Sequence, residues 1–172
     1  MAYTLDAFCS EARATLQGGG ALEAKVETIA QRLKGLLTEP AFVAAAFAQD
    51  DPPGKKILFH DEETDFYVLA HVQDGGKKGT PHSHGESWAI YGNVTNVTRM
   101  TEYERVNPPE EEAATLRKTR VYDVGPGETF GYPPGMIHST EHPQKAWVVR
   151  VTGCDLDALP RYRFRKFRDT II

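Results

Sequence analysis

Two short stretches carry the residues able to do chemistry. In the first, residues 80–100, His82-Ser83-His84 follows Pro81. Side chains two apart on a strand point to the same face, so this pair can offer two neutral imidazole nitrogens to a divalent metal. Two surface histidines beside a turn would look the same, so the pair alone proves little. An aromatic and aliphatic run, Trp88-Ala89-Ile90-Tyr91, comes next and ends at Gly92-Asn93. The second stretch, residues 125–142, holds the rigid turn signal Pro133-Pro134-Gly135. His138 follows it at the start of a strand-like run.

The elements that must position these residues are legible from hydrophobic period. Residues 4–17 predict a helix, with Thr4 as N-cap and Leu5, Phe8, Ala12 and Leu16 on one face. Gly18-Gly19-Gly20 breaks it. A second helix carries Leu22, Val26, Ile29, Leu33 and Leu37, and a third, short one starts near Pro40 and carries Phe42, Val43 and Phe47. Residues 50–54, Asp-Asp-Pro-Pro-Gly, are a strong breaker. They divide a helical cover, residues 1–50, from a β-rich unit, residues 51–172, within one structural domain. From Ile57 onward, short strands are expected over residues 57–59, 66–72, the H-x-H stretch, 94–106, 119–124, 129–132 and 146–152. Many short strands at close spacing suit an all-β barrel or jelly roll.

At this point the sequence resembles the cupin superfamily. That family's first motif is a glycine, five residues, then H-x-H; Gly76, His82 and His84 fit it. Its second motif is a glycine, five residues, P-x-G-x-x-H, three residues and an asparagine. Gly127, Pro133, Gly135 and His138 fit that, with His142 in the asparagine slot. The resemblance covers roughly residues 55–155. It implies a double-stranded β-helix with an N-terminal helical cover. The glutamate of the first motif is replaced by Trp88 and Ala89. Glu86 stands only two residues after His84, and on a straight strand it would share a face with both histidines and could reach the metal itself. The resemblance therefore implies three metal ligands, His82, His84 and His138, with Glu86 beside the pocket.

Within the cupins, His82-Ser83-His84-Gly85-Glu86-Ser87-Trp88 looks most like the cysteine and thiol dioxygenase branch. That likeness implies Fe(II), dioxygen and a small thiol or carboxylate-bearing substrate. Three neutral imidazoles leave the metal its full charge, to be balanced by a thiolate or enolate of the substrate; nickel, zinc, manganese or copper suit the same donors. The branch's cross-linking cysteine and late-strand Ser-His-Tyr set are absent, since Ala89 and then Val148, Arg150 and Thr152 stand there. This argues against cysteine itself as substrate. Arg150, the one charge in its strand, has the fork geometry to hold a carboxylate. It is equally compatible with an internal pair to Glu86 or an outward position. Lys56 falls where thiol dioxygenases carry a substrate-clamping arginine. His71, alternating with Tyr67 and Leu69, faces either pocket or core, and Tyr91 and Tyr132 are candidate pocket walls. His60 and His142 read as surface residues or as supports behind the ligands. The alternatives are a non-catalytic cupin that senses or stores a small ligand or metal, and a cupin isomerase or lyase, because one fold hosts many chemistries.

Composition excludes several classes. The chain of 172 residues is long enough for one domain with a sizeable core, and 40% is hydrophobic. The formal net charge of −4 offers no bulk attraction to nucleic acid or membrane. No apolar run approaches spanning length, and the first residues lack a signal-peptide pattern. Cys9 and Cys154, isolated in sequence, read as reduced thiols of a cytoplasmic protein. The alternating basic and aromatic tail, residues 161–168, reads as a terminal strand packing Tyr162 and Phe164 rather than a nucleic-acid site. A homo-oligomer is left open.

Overall fold

A computed structural model describes residues 2–159, 162–164 and 167–170. Three helices come first. In α1 (Leu5–Gln17) the Thr4 hydroxyl accepts the Ala7 amide at 3.1 Å, the cap expected from its position. α2 (Leu22–Leu37) and α3 (Pro40–Ala46, with proline in its first turn) follow. The strands are β1 (Gly54–His60), β2 (Tyr67–Gln73), β3 (Lys77–Lys78), β4 (His82–Ser83), β5 (Ala89–Asn93), β6 (Thr98–Arg105), β7 (Ala114–Val124), β8 (Thr129–Tyr132), β9 (Ile137–His142), β10 (Ala146–Thr152), β11 (Tyr162–Arg163) and β12 (Phe167–Thr170).

The chain passes back and forth between two sheets. One has the order β1-β2-β10-β5-β8, and the other β11-β4-β9-β6-β7-β12, with β3 beside β9. The nested antiparallel orders β2-β10-β5-β8 and β4-β9-β6-β7 make a double-stranded β-helix, the jelly roll expected from the sequence. Closing two sheets face to face gives each strand one side toward the barrel interior.

The first sheet buries both faces, which is why its strands are so apolar. Outward, Val68, Ala70, Val72, Ile90, Val149 and Val151 form one cluster with Phe8, Ile29, Leu33, Leu36 and Phe42 of the helices. At roughly 1.5–3 kcal/mol for each large apolar side chain buried, this contact is a main source of stability. Gly92 lets α2 come close: a Cβ there would stand 2.7 Å from the Leu37 Cδ1. Inward, Ala89, Tyr91, Tyr132, Ala146 and Val148 meet Met100 and Val124 of the opposite sheet. Both cysteines are free, and burial pushes the Cys9 thiol up to about 12.

Three strand expectations shift. Residues 94–97 form a turn, with Asn96 at a φ of 54°, so the strand expected over 94–106 splits at this point from β5 and starts at Thr98. β7 begins at Ala114, five residues before the expected start, because the parallel partner β12 gives that end a ladder. The H-x-H strand stops at Ser83. In the tail, Arg161, Arg165 and Lys166 lie outside the described residues, as do the side chains of Tyr162, Arg163, Phe167 and Arg168. Phe164 packs on Tyr103, Ala114 and Leu116.

Candidate metal centre

The register between β4 and β9 sets His82 opposite His138, and the chain then delivers His84 to the same interior face. Gly85, at a φ of +60°, turns the backbone immediately afterwards, and its carbonyl accepts the Gly135 amide at 2.8 Å. The turn after the H-x-H pair is thereby tied to the proline turn ahead of His138. One nitrogen from each of the three imidazoles lies within 4.8 Å of the others. Nitrogens bound to one ion at about 2.1 Å would sit somewhat closer, a shift that small ring rotations supply.

The outer ring nitrogens support this use. His82 Nδ1 stands 3.0 Å from the Thr80 carbonyl oxygen, and His138 Nδ1 stands 3.3 Å from that of Met136. A carbonyl only accepts, so each Nδ1 carries the proton and each Nε2 keeps a lone pair facing inward. Burial, with His82 alongside, pushes His138 down to about 3, leaving a neutral ring. Imidazoles held in this tautomer at His82 and His138 fit a divalent ion, and His82, His84 and His138 are the residues that would hold it.

A wall of aromatic side chains backs the cluster. The Tyr91 hydroxyl lies 3.3 Å from Nε2 of both His84 and His138. Tyr132 is stacked on His138 and meets Tyr91 edge-on. Behind it, the Tyr122 hydroxyl donates to Glu102 at 2.8 Å and touches the Tyr132 hydroxyl at 2.5 Å. Burial first, with the Glu102 carboxylate adding to it, raises both phenols well above the tyrosine range, against a lowering hydrogen bond from Tyr122 at Tyr132, so they stay protonated.

Beside this wall lies a second set of polar groups. Arg150 pairs with Leu69 and Tyr91 across the sheet and shares the interior face of Val148. Its Nε is buried and has no hydrogen-bond partner, and the same holds for Nε2 of His71, which is only 8% exposed. Burial, followed by the charge of Arg150, pushes His71 down to about 3. Arg150 lines a cavity of about 210 Å³ with Lys55, Tyr67, Leu69, Asp155 and Asp157. Lys55 is ion-paired with Asp157 there.

No protein-family profile and no curated protein matches this sequence. Solved structures do resemble it. A cupin superfamily protein from Desulfitobacterium hafniense shares 10% identity over 65% of this chain and 86% of its own, with a TM-score of 0.46. KdgF from a Halomonas species shares 22% over 68% of this chain and 96% of its own, again with a TM-score of 0.46. Oxalate decarboxylase of Bacillus subtilis, a protein with Mn(II) centres, shares 16% over 58% of this chain and 24% of its own, with a TM-score of 0.43. The strand order defines the fold, and the three converging imidazoles define the site.

Of the residues singled out from sequence, the fold brings His82, His84, His138, Tyr91, Tyr132, Arg150 and His71 to the barrel interior. It does not bring Glu86, which is exposed in the turn made by Gly85. Nor does it bring Lys56, which pairs with Ala70 on the face toward the helices and lines a depression with Phe47. Its neighbour Lys55 takes the side of Arg150. Among the described residues Arg150 makes no ion pair with Glu86, and it does not point outward. His142 sits inside, its Nδ1 3.2 Å from the Thr98 hydroxyl, whereas His60 stacks on Tyr67 at the surface. Sequence reasoning passed over Glu102 and Tyr122. The signal available was a carboxylate alternating with Met100 on an otherwise half-apolar strand. Among the described residues, no helix is long and apolar enough to cross a membrane.

Proposed function

We propose that this protein is a metal-dependent oxidoreductase, an Fe(II) dioxygenase of the thiol dioxygenase kind. It would act on a small substrate that carries a carboxylate and a thiol or enolisable group. The observation that carries the reading is the set of three inward imidazole nitrogens within 4.8 Å of one another on one barrel wall. When bound, the ion supplies positive charge and open positions for the substrate anion and dioxygen. Nickel, zinc, manganese or copper would fit the same nitrogens.

The chain's own residues do the rest. Arg150 holds the substrate carboxylate, which satisfies the buried Nε that lacks a partner. His71, neutral at physiological pH, offers Nε2 to the same group. The aromatic wall of Tyr91 and Tyr132 excludes water and fixes the orientation of His138. Holding the reacting groups in one geometry lowers the barrier by removing their freedom to turn. Both oxygen atoms would enter the product.

The test is metal analysis of anaerobically purified protein, followed by oxygen uptake with a panel of thiols, thiol acids and diketones. About one iron per chain and uptake with a carboxylate-bearing member are expected. Stoichiometric iron without uptake across the panel would move the protein to the ligand-binding class.

A further inference from the structure

Tyr91 stands in an unusual relation to the histidine cluster. Its oxygen is equidistant, at 3.3 Å, from Nε2 of His84 and Nε2 of His138. Hydroxyl hydrogen bonds cluster at about 2.7–2.8 Å, so both contacts are long for donation. A single hydroxyl proton cannot serve both nitrogens in any case. The distance has another meaning. Two ligand atoms each about 2.1 Å from one ion are about 3.0 Å apart at a right angle and about 3.4 Å apart at a tetrahedral angle. The Tyr91 oxygen therefore lies where a ligand sharing an ion with both histidines would lie.

The surroundings hold it there. Tyr91 is 6% exposed and sits on β5 between β10 and β8, opposite Arg150 and Phe130. Tyr132 meets its ring edge-on at 5.8 Å between centroids, and His84 stacks along it at 6.2 Å. The next interior residue on that strand, Ala89, offers only a methyl. No carboxylate joins the three histidines within the same 4.8 Å among the described residues.

We infer that Tyr91 is a fourth metal ligand, binding as a phenolate, so that the centre is three nitrogens and one oxygen. On binding, the metal–oxygen bond forms and the phenol proton leaves to solvent, with no change in oxidation state. One unit of the ion's charge is then balanced by the protein. The inference rests on the three-histidine reading.

The test uses Cu(II) alone as the probe. The wild-type protein with one copper per chain is expected to show a phenolate-to-copper charge-transfer band in the visible. Excitation into that band should enhance phenolate ring modes in the Raman spectrum. In Tyr91→Phe the band and the ring modes vanish, and copper binds at least tenfold more weakly. Copper bound stoichiometrically to wild-type protein without such a band overturns the fourth ligand and leaves the histidines standing. A band that persists in Tyr91→Phe does the same. Failure of wild-type protein to bind copper overturns both readings. Should Tyr91→Phe not fold, ring-deuterated tyrosine in wild-type protein decides, because Raman modes that do not move on labelling reject the phenolate.

Discussion

Tyr132 lies flat against His138, with ring centroids 4.3 Å apart and planes within 5°. The Tyr132 hydroxyl is held in turn by Tyr122, whose own proton goes to Glu102. The Tyr122 proton is thus committed, so the contact between the two phenols has to carry the Tyr132 proton. A buried carboxylate thereby fixes, through two tyrosines, the ring that fixes a metal-binding imidazole. Supports of this kind typically change metal affinity by about 10–100-fold. Tyr122→Phe keeps the volume and cuts the link. It is expected to weaken metal binding by roughly tenfold, read by competition with a chelator, and to lower the melting temperature of the metal-free protein by several degrees, because Glu102 and the Tyr132 hydroxyl lose a buried partner.

Removing an imidazole should be far more severe. Each of His82→Ala, His84→Ala and His138→Ala is expected to lose most of the bound metal, measured by elemental analysis after gel filtration. Full retention in all three variants would remove the assignment of the centre.

Arg150→Met tests the carboxylate clamp while keeping most of the stem that packs beside Val148. A hydrogen bond to a charged group contributes about 1.5–3 kcal/mol, so KM for a carboxylate substrate is expected to rise tenfold or more, with metal content unchanged. A change of KM within twofold would show that the carboxylate binds elsewhere.

The histidines were legible in the sequence because their types and the neighbouring Pro133-Pro134-Gly135 turn survive any detail of pairing. The helices were legible from period and from the Gly18-Gly19-Gly20 and Pro52-Pro53-Gly54 breaks. What failed to read through was register. Lys55 and Lys56 differ by one position, and one position flips a side chain across the sheet. The bulge between Ile57 and Phe59 shows how loosely this edge strand is specified by pattern. Glu86 was placed by assuming a straight strand, which the left-handed backbone of Gly85 ends. Glu102 meets His138 only through the pairing of β6 with β9, set by contacts 36 residues apart along the chain. No local pattern encodes such a meeting.

The helices share their core with the outer face of the first sheet rather than having one of their own. Deleting residues 1–50 would expose Val68, Ala70, Val149 and Val151 together. The truncated chain is expected to be insoluble or to lack a cooperative melt in calorimetry. A soluble fragment from residue 51 onward with a sharp transition would contradict this.

A buried charged contact pins the helical cover to the barrel, and it gives stability a pH dependence. Asp61, in the turn between β1 and β2, is fully buried. It accepts from Arg13 of α1 at 2.7 Å and from the Thr64 amide and hydroxyl at 3.0 and 2.6 Å. Burial by itself would raise this carboxyl, but the Arg13 guanidinium and the Thr64 donors together hold it below the usual carboxylate range. A carboxylate whose pKa is lower in the folded chain than in the unfolded one stabilises the fold at pH values above the unfolded value, about 3.9. That contribution is lost as pH falls below it and through the lowered pKa of Asp61. Asp61→Asn removes the charge and keeps the size. At neutral pH it is expected to melt several degrees below wild type, because Arg13 loses its closer, buried partner, keeping only Glu63, and the Thr64 donors face a weaker acceptor. The gap between the two proteins should hold from neutral pH down to about 5 and then close as the solution is acidified further. Equal melting temperatures at neutral pH, or a gap that widens in acid, would show that the Arg13–Asp61 contact does not anchor the cover.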